Sequence, residues 1–272
     1  NGKFETLYNA NYTYVNEPLA RHYGINGVSG NQFVRVATTN RGGILANGGF
    51  MSRWADAIEP SPIRRAVRVR GRMLCQDVQD PPANVGIGRE QLLEIHKAEL
   101  ANPMTTNKRR FELVTSLETC KTCHEYIINP LGFGLEDFDS VGNPRTIDTK
   151  GNTVNAAGTL YAPQAWSNSF ASTAYPFVGA KALGDTLATL PTAQRCLPQN
   201  LFRYSTGIGV EDGWQQHGDY VLVDDAEIKA YACDVQDLKH TMMEQSPRKM
   251  LEQLGTLDTV RYRKAWARPS NM

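Results

Sequence analysis

The chain has 272 residues, of which 41% are hydrophobic and 21% charged. That composition excludes disorder as the main state and allows one large domain or two small ones. Lys and Arg total 29 against 28 Asp and Glu, a formal net charge of +1, which gives no electrostatic reason to expect nucleic acid or an anionic membrane as the main partner.

Residue 1 is Asn, and the opening residues lack the basic-then-apolar pattern of a signal peptide. The expectation is a removed targeting segment or a piece of a longer chain. No window holds the roughly 18 apolar residues of a membrane-crossing helix. Asn16, with Glu17 and Pro18 after it, caps a short helix that stops at Gly24. Residues 26–60 are rich in Gly, Asn and Thr and read as irregular. Ser61-Pro62 opens a helix running to about Cys75, and Asp80-Pro81-Pro82 forms a linker after it. Helices are expected from Glu90 to Ala101 and from a cap at Thr105 or Thr106 toward Cys120. Thr149-Lys150-Gly151-Asn152 lies between β-compatible runs and predicts a hairpin within 145–160. Residues 161–176, with Trp166 and Phe170, read as a loop. Helices return at 181–189, 192–206, 224–233 and 246–262, the last with Ser246 as cap and Pro247 in its first turn.

The chemistry lies in Cys120-Lys121-Thr122-Cys123-His124. Two thiols three positions apart on one helical turn can each add to a vinyl group of haem, and the adjacent imidazole then supplies an axial nitrogen to the iron. This is the covalent haem c attachment pattern. A zinc site needs two more ligands at short spacing, and none lies nearby. A thioredoxin-type pair needs a preceding strand, whereas this segment reads as helix. A local disulfide leaves His124 without a role. The following Asn129-Pro130-Leu131-Gly132-Phe133 suits a haem wall, with Leu131 and Phe133 against the porphyrin or in the core, and a carbonyl near Pro130 on the second nitrogen of His124.

These residues, continuing through Glu136, Asp139, Gly142, Arg145, Asp148 and Gly151, resemble the haem-carrying domain of the planctomycete-type cytochrome proteins. Those are large secreted bacterial proteins built from several domains in series. Tyr12 to Gly24, Arg41 to Leu45 and Ser61 to Arg65 are similar to the end of the domain preceding the haem domain. Arg195-Cys196, Phe202 to Tyr204, Gly207, Cys233 and Arg261 to Arg263 look like the family's helical C-terminal domain. The resemblance implies a mainly α protein in three parts: residues 1–75 as the remnant of a preceding helical domain, 76–165 as a helical c-type cytochrome domain with a small β-hairpin, and 166–272 as a helical C-terminal domain. It implies that the chain is a fragment or cut product that packs against its own missing N-terminal part. It also implies a disulfide between Cys196 and Cys233, in keeping with an oxidising compartment. The fifth cysteine, Cys75, is then a buried free thiol or the partner of a cysteine outside the chain. In two places the chain departs from the family: Val114 stands where a His usually precedes the first haem cysteine by six residues, and the segment between His124 and Pro130 is one residue longer.

The second iron ligand is open at this point. No Met lies between His124 and Met242, and no His between His124 and His217, so the candidates are His22, His96 and Met104 upstream, His217, His240, Met242 and Met243 downstream, another chain, or none. Two strong ligands make an electron carrier, whereas an open position permits peroxide or oxygen chemistry. The leading expectation is a mono-haem electron carrier of the periplasm, cell surface or extracellular space, serving a redox partner protein within a larger protein or complex. The alternatives are a haem peroxidase or oxidase and an assembly subunit with a structural haem.

Overall fold

The computed structural model describes residues 2–76, 78, 85–162, 173–210 and 225–262. The described residues are mainly α-helical, with two small antiparallel two-stranded sheets. The chain divides into two compact units, neither continuous in sequence: a larger one of Tyr8–Val69 and Val78–Leu187, and a smaller one of Asn1–Leu7, Arg70–Asp77 and Ala188–Met272.

Helix α1 (Thr6–Asn9) leads into β1 (Tyr12–Val15), which pairs with β2 (Val34–Ala37) from Tyr12 opposite Ala37 to Val15 opposite Val34. Between them α2 (Glu17–His22) is capped as expected, the Asn16 side chain accepting the Leu19 N–H at 3.2 Å. Residues 26–60 are less irregular than their composition suggests, because they also form α3 (Gly48–Arg53), capped by Asn47. Helix α4 (Pro62–Met73) follows Ser61. The Asp80-Pro81-Pro82 linker lies outside the described residues. The next helix is two, α5 (Val85–Ile95) and α6 (Lys97–Ala101), parted at His96, whose backbone leaves the helical region. Then come α7 (Asn107–Val114), α8 (Glu118–Cys123), a π turn (His124–Ile128) and α9 (Asn129–Phe133).

Beyond α9 the backbone is irregular, and buried arginines supply its hydrogen-bond partners. Arg65 on α4, with none of its surface exposed, donates to the carbonyls of Leu135 (2.7 Å), Phe138 (2.7 Å), Asp139 (2.6 Å) and Met51 (3.0 Å). Arg145 donates from Nε to the Glu136 carbonyl (2.9 Å) and pairs with the carboxylates of Glu59 (2.7 Å) and Glu136 (3.4 Å). Arg41 donates to the Gly142 carbonyl (2.8 Å), with its guanidinium over the Tyr23 ring. Glycine is required at two points here. A Cβ on Gly132 would lie 2.3 Å from the Pro62 carbonyl oxygen, and Gly142 combines φ +79° with close approach to Gly48.

The hairpin expected around 149–152 is a tight turn with one bridge, Ile147 opposite Thr153. It occurs twice. In Asp139-Ser-Val-Gly-Asn143 and in Asp148-Thr-Lys-Gly-Asn152 the aspartate Oδ1 accepts the N–H groups two and four residues on. The extended ladder is β3 (Ala157–Ala162) with β4 (Thr173–Val178), so residues 161–162 and 173–176 of the expected loop are strand. Trp166 and Phe170 lie outside the described residues. Helix α10 (Gly179–Thr189) begins two residues early.

In the smaller unit α11 (Pro191–Thr206) ends at Gly207 as expected and packs on α12 (Asp225–Glu244). Helix α12 continues past residue 233 because Val235, Leu238 and Met242 extend its buried stripe and no breaker intervenes. The expected helix 246–262 breaks at Gly255 into α13 (Pro247–Leu254) and α14 (Asp258–Arg261). The expected Cys196–Cys233 disulfide is not formed. Cys196 bonds to Cys75, with Cα atoms 5.3 Å apart, and Cys233 is an exposed free thiol on α12. Cysteine spacing does not determine connectivity, and here Cys196 is buried on α11 beside the Arg72 carbonyl while Cys233 points to solvent.

Two stability outcomes follow. Cys75→Ser and Cys196→Ser each cost about 2–5 kcal/mol while Cys233→Ser is near neutral, as urea titration measures; a Cys196–Cys233 peptide in a non-reducing digest would overturn the pairing. Arg65→Met leaves buried carbonyls without donors and costs at least about 3 kcal/mol, against a near-neutral change for Arg64→Met on the exposed side of the same helix.

Candidate haem-attachment site

Helix α7 starts at Thr106, whose Oγ1 accepts the Arg109 N–H at 3.1 Å. It ends at Thr115, and after Leu117 the chain enters α8. That short helix has Glu118 in its first turn, paired with Lys121 in its last, an arrangement favoured by the helix dipole. Cys120 and Cys123 sit three residues apart and therefore on one face. Both are half-buried free thiols. Burial, and then the neighbouring Cys120, push the Cys123 thiol above its ordinary pKa.

At His124 the helix widens into the π turn. The turn covers His124–Ile128 and leads directly into α9. The Asn129 N–H closes the turn on the His124 carbonyl. The Asn129 side-chain oxygen lies 2.8 Å from His124 Nδ1, its amide nitrogen donates to Thr115 Oγ1 at 2.9 Å, and that hydroxyl donates to the Phe111 carbonyl at 2.7 Å. The carbonyl expected near Pro130 is thus the side-chain amide of the residue before it. Burial lowers the His124 pKa, and the bond to Asn129 partly opposes this. The two thiols and the free Nε2 of His124 suit a group that needs two covalent anchors and one axial nitrogen.

Pro130 is half-buried at the start of α9, whereas Leu131 (0% exposed) and Phe133 (6%) belong to the core of the larger unit. Lys108 Nζ lies 5.1 Å from the Phe133 ring centre. The candidate second ligands are dispersed. His22 Nε2 is 3.0 Å from the Val141 carbonyl, which gives it a structural partner. His96 is half-buried at the α5–α6 break, and Met104 is 75% exposed. His217 lies outside the described residues; His240 pairs with Glu244, and Met242 is buried, both in the smaller unit. Among the described residues no three His, Cys, Asp or Glu side chains form a group able to hold a metal ion.

Residues 41–148 match the family described as PSCyt3, a protein of unknown function (DUF1588). The name is that of a planctomycete cytochrome-related family and specifies no activity. The match covers less than half of the chain and crosses the domain boundary expected at residue 75. No curated protein and no solved structure matches the chain.

Of the carboxylates that follow the site, Glu136 is buried and paired with Arg145, and Asp139 Oδ1 accepts the N–H groups of Val141 and Asn143. Glu136 Oε1 accepts from Asn107 Nδ2 at 2.7 Å, yet burial outweighs Asn107, Arg145 and Arg65 and pushes its carboxyl up to about 7. Asp137 accepts the Ala180 N–H at 3.0 Å and is pushed up by burial to about 6. An acid whose pKa is raised by folding holds a proton that the unfolded chain has released, so stability falls as pH rises from the ordinary value of 4.5 toward 7. Glu136→Gln should remove a decline on the order of 3 kcal/mol across that window, read by urea unfolding at stepped pH; parallel slopes for the two proteins would contradict it.

Proposed function

We propose that the chain is a mono-haem c-type cytochrome whose role is electron transfer. The observation that carries this reading is the Cys120–Cys123 pair on one helical face, followed by an imidazole whose Nδ1 is engaged by Asn129. The two thiols form the thioether anchors, and Nε2 of His124 is the axial ligand. When bound, haem supplies a one-electron Fe(III)/Fe(II) couple, tuned by its ligands, its burial and nearby hydrogen bonds. The chain's own part is to hold one axial ligand rigidly and to keep the surroundings of α9 apolar. The Cys75–Cys196 disulfide suits an oxidising compartment, in line with a periplasmic, cell-surface or extracellular location. A redox partner protein, and a further part of its own precursor or another subunit, complete the proposed setting.

A second reading has an open distal position and peroxide or oxygen chemistry. One observation favours it: His22, one of the candidate second ligands, has its Nε2 3.0 Å from the Val141 carbonyl. Visible spectra of the oxidised and reduced protein, with and without carbon monoxide, decide between the two. A low-spin spectrum unchanged by carbon monoxide is expected for the carrier, and ready carbon monoxide binding would instead support the open site. Cys123→Ala should leave haem on a single thioether, detected by mass and by the reduced pyridine spectrum; two-point attachment in that variant would refute the assignment.

A further inference from the structure

In a regular α-helix, residue i+5 is rotated about 140° from residue i, so Asn129 would face away from His124. The π turn removes that offset. Its i to i+5 backbone bond, from the Asn129 N–H to the His124 carbonyl, stacks the two residues and places the amide oxygen 2.8 Å from the ring. The π turn is therefore what allows the Asn129 side chain to reach the imidazole.

The hydrogen-bond chain has one consistent polarity. Thr115 has a single hydroxyl proton, and its geometry directs that proton to the Phe111 carbonyl at 2.7 Å. Toward Asn129 the hydroxyl can then only accept, so the amide NH2 faces Thr115 and the amide oxygen faces His124. An amide oxygen accepts only, so Nδ1 carries the proton and the lone pair lies on Nε2. Asn129 is 9% exposed, which limits competition from water.

Resting on the haem reading above, we infer that the Asn129 amide, locked by Thr115, is a positioning residue that fixes the Nδ1–H form of His124, presents Nε2 to the iron and sets the donor strength of that ligand. A stronger acceptor on Nδ1 makes the imidazole more basic and favours Fe(III), and a lost acceptor favours Fe(II). The amide is neutral and held by a hydroxyl, so it sets an intermediate donor strength.

The test is potentiometric titration of the haem-loaded full chain. Asn129→Asp should lower the midpoint potential and Asn129→Leu should raise it. Thr115→Val should shift it in the direction of the leucine variant by a smaller amount, and Thr115→Ser should restore the wild-type value. Unchanged potentials in both Asn129 variants, with haem still attached at both cysteines, would overturn the inference. Long-range 15N–1H NMR of the haem-free wild-type chain reads the tautomer directly. An Nδ1–H imidazole is expected at His124, and an Nε2–H imidazole would overturn the inference independently of haem. Absence of covalent haem in a wild-type chain matured with haem available would instead refute the cytochrome reading.

Discussion

The larger unit depends on the satisfaction of buried carbonyl groups by the Arg65 guanidinium. Leu135, Phe138 and Asp139 lie where the backbone has left α9 and joined no extended strand, and of their carbonyls only that of Asp139 also accepts a turn N–H, from Gly142 at 3.3 Å. A buried carbonyl without a donor costs free energy comparable to a lost hydrogen bond. Arg65 supplies all three, and Met51 as well, from one planar group. The cost is desolvation of a cation, which lowers its pKa to about 10 and still leaves it charged at neutral pH. Glu136, Asp137 and Asp139 offset that cost electrostatically. Arg145 and Arg41 act in the same way on the next carbonyls, at Glu136 and Gly142. Three arginines thus take the place that a sheet would otherwise have.

This frame reaches the candidate site through α9. Its backbone is pressed against Pro62 at Gly132 and is followed directly by the segment that Arg65 holds. Between the fixed C-terminal end of α9 and the cysteines on α8, the π turn brings Asn129 onto the face of His124. At the other end of this chain of contacts, Asn107 joins the first turn of α7 to Glu136, and Thr115 joins its last turn to Asn129. The same helix is therefore tied to the frame at one end and to the imidazole's partner at the other.

Much of this was legible locally. Asn16, Thr106 and Ser246 cap the helices they were expected to cap, because a side-chain oxygen one residue before a helix needs only neighbours in sequence to act. The Cys-x-x-Cys-His pattern was equally visible, since it occupies one helical turn. Features set by distant parts of the chain were not. The disulfide joins residues 121 positions apart, and β3 and β4 lack a short turn signal to announce their pairing. Asn129 was overlooked for a different reason: Asn before Pro has an ordinary reading as a helix start, and only the π turn gives its side chain another use. The repeated Asp-x-x-Gly-Asn turn is five residues long, too short to register as a repeat until both copies show the same hydrogen bonds.

The limits of the family match sharpen what the similarity concerns. Residues 41–148 begin at one frame arginine and end at the aspartate of the second repeated turn. Within them lie Glu59, Arg65, Asn107, Glu136 and Arg145 of the frame, and also Thr115, Cys120, Cys123, His124 and Asn129 of the site. The β3–β4 ladder, α11 to α14 and Cys196 fall outside. Frame and site are one connected set of contacts: Asn107 on α7 holds Glu136, Thr115 at the end of the same helix holds Asn129, and Asn129 holds His124. The frame's hydrogen bonds also run past residue 148, where the Thr149 N–H donates to Glu59 and the Asn152 N–H to Asp148.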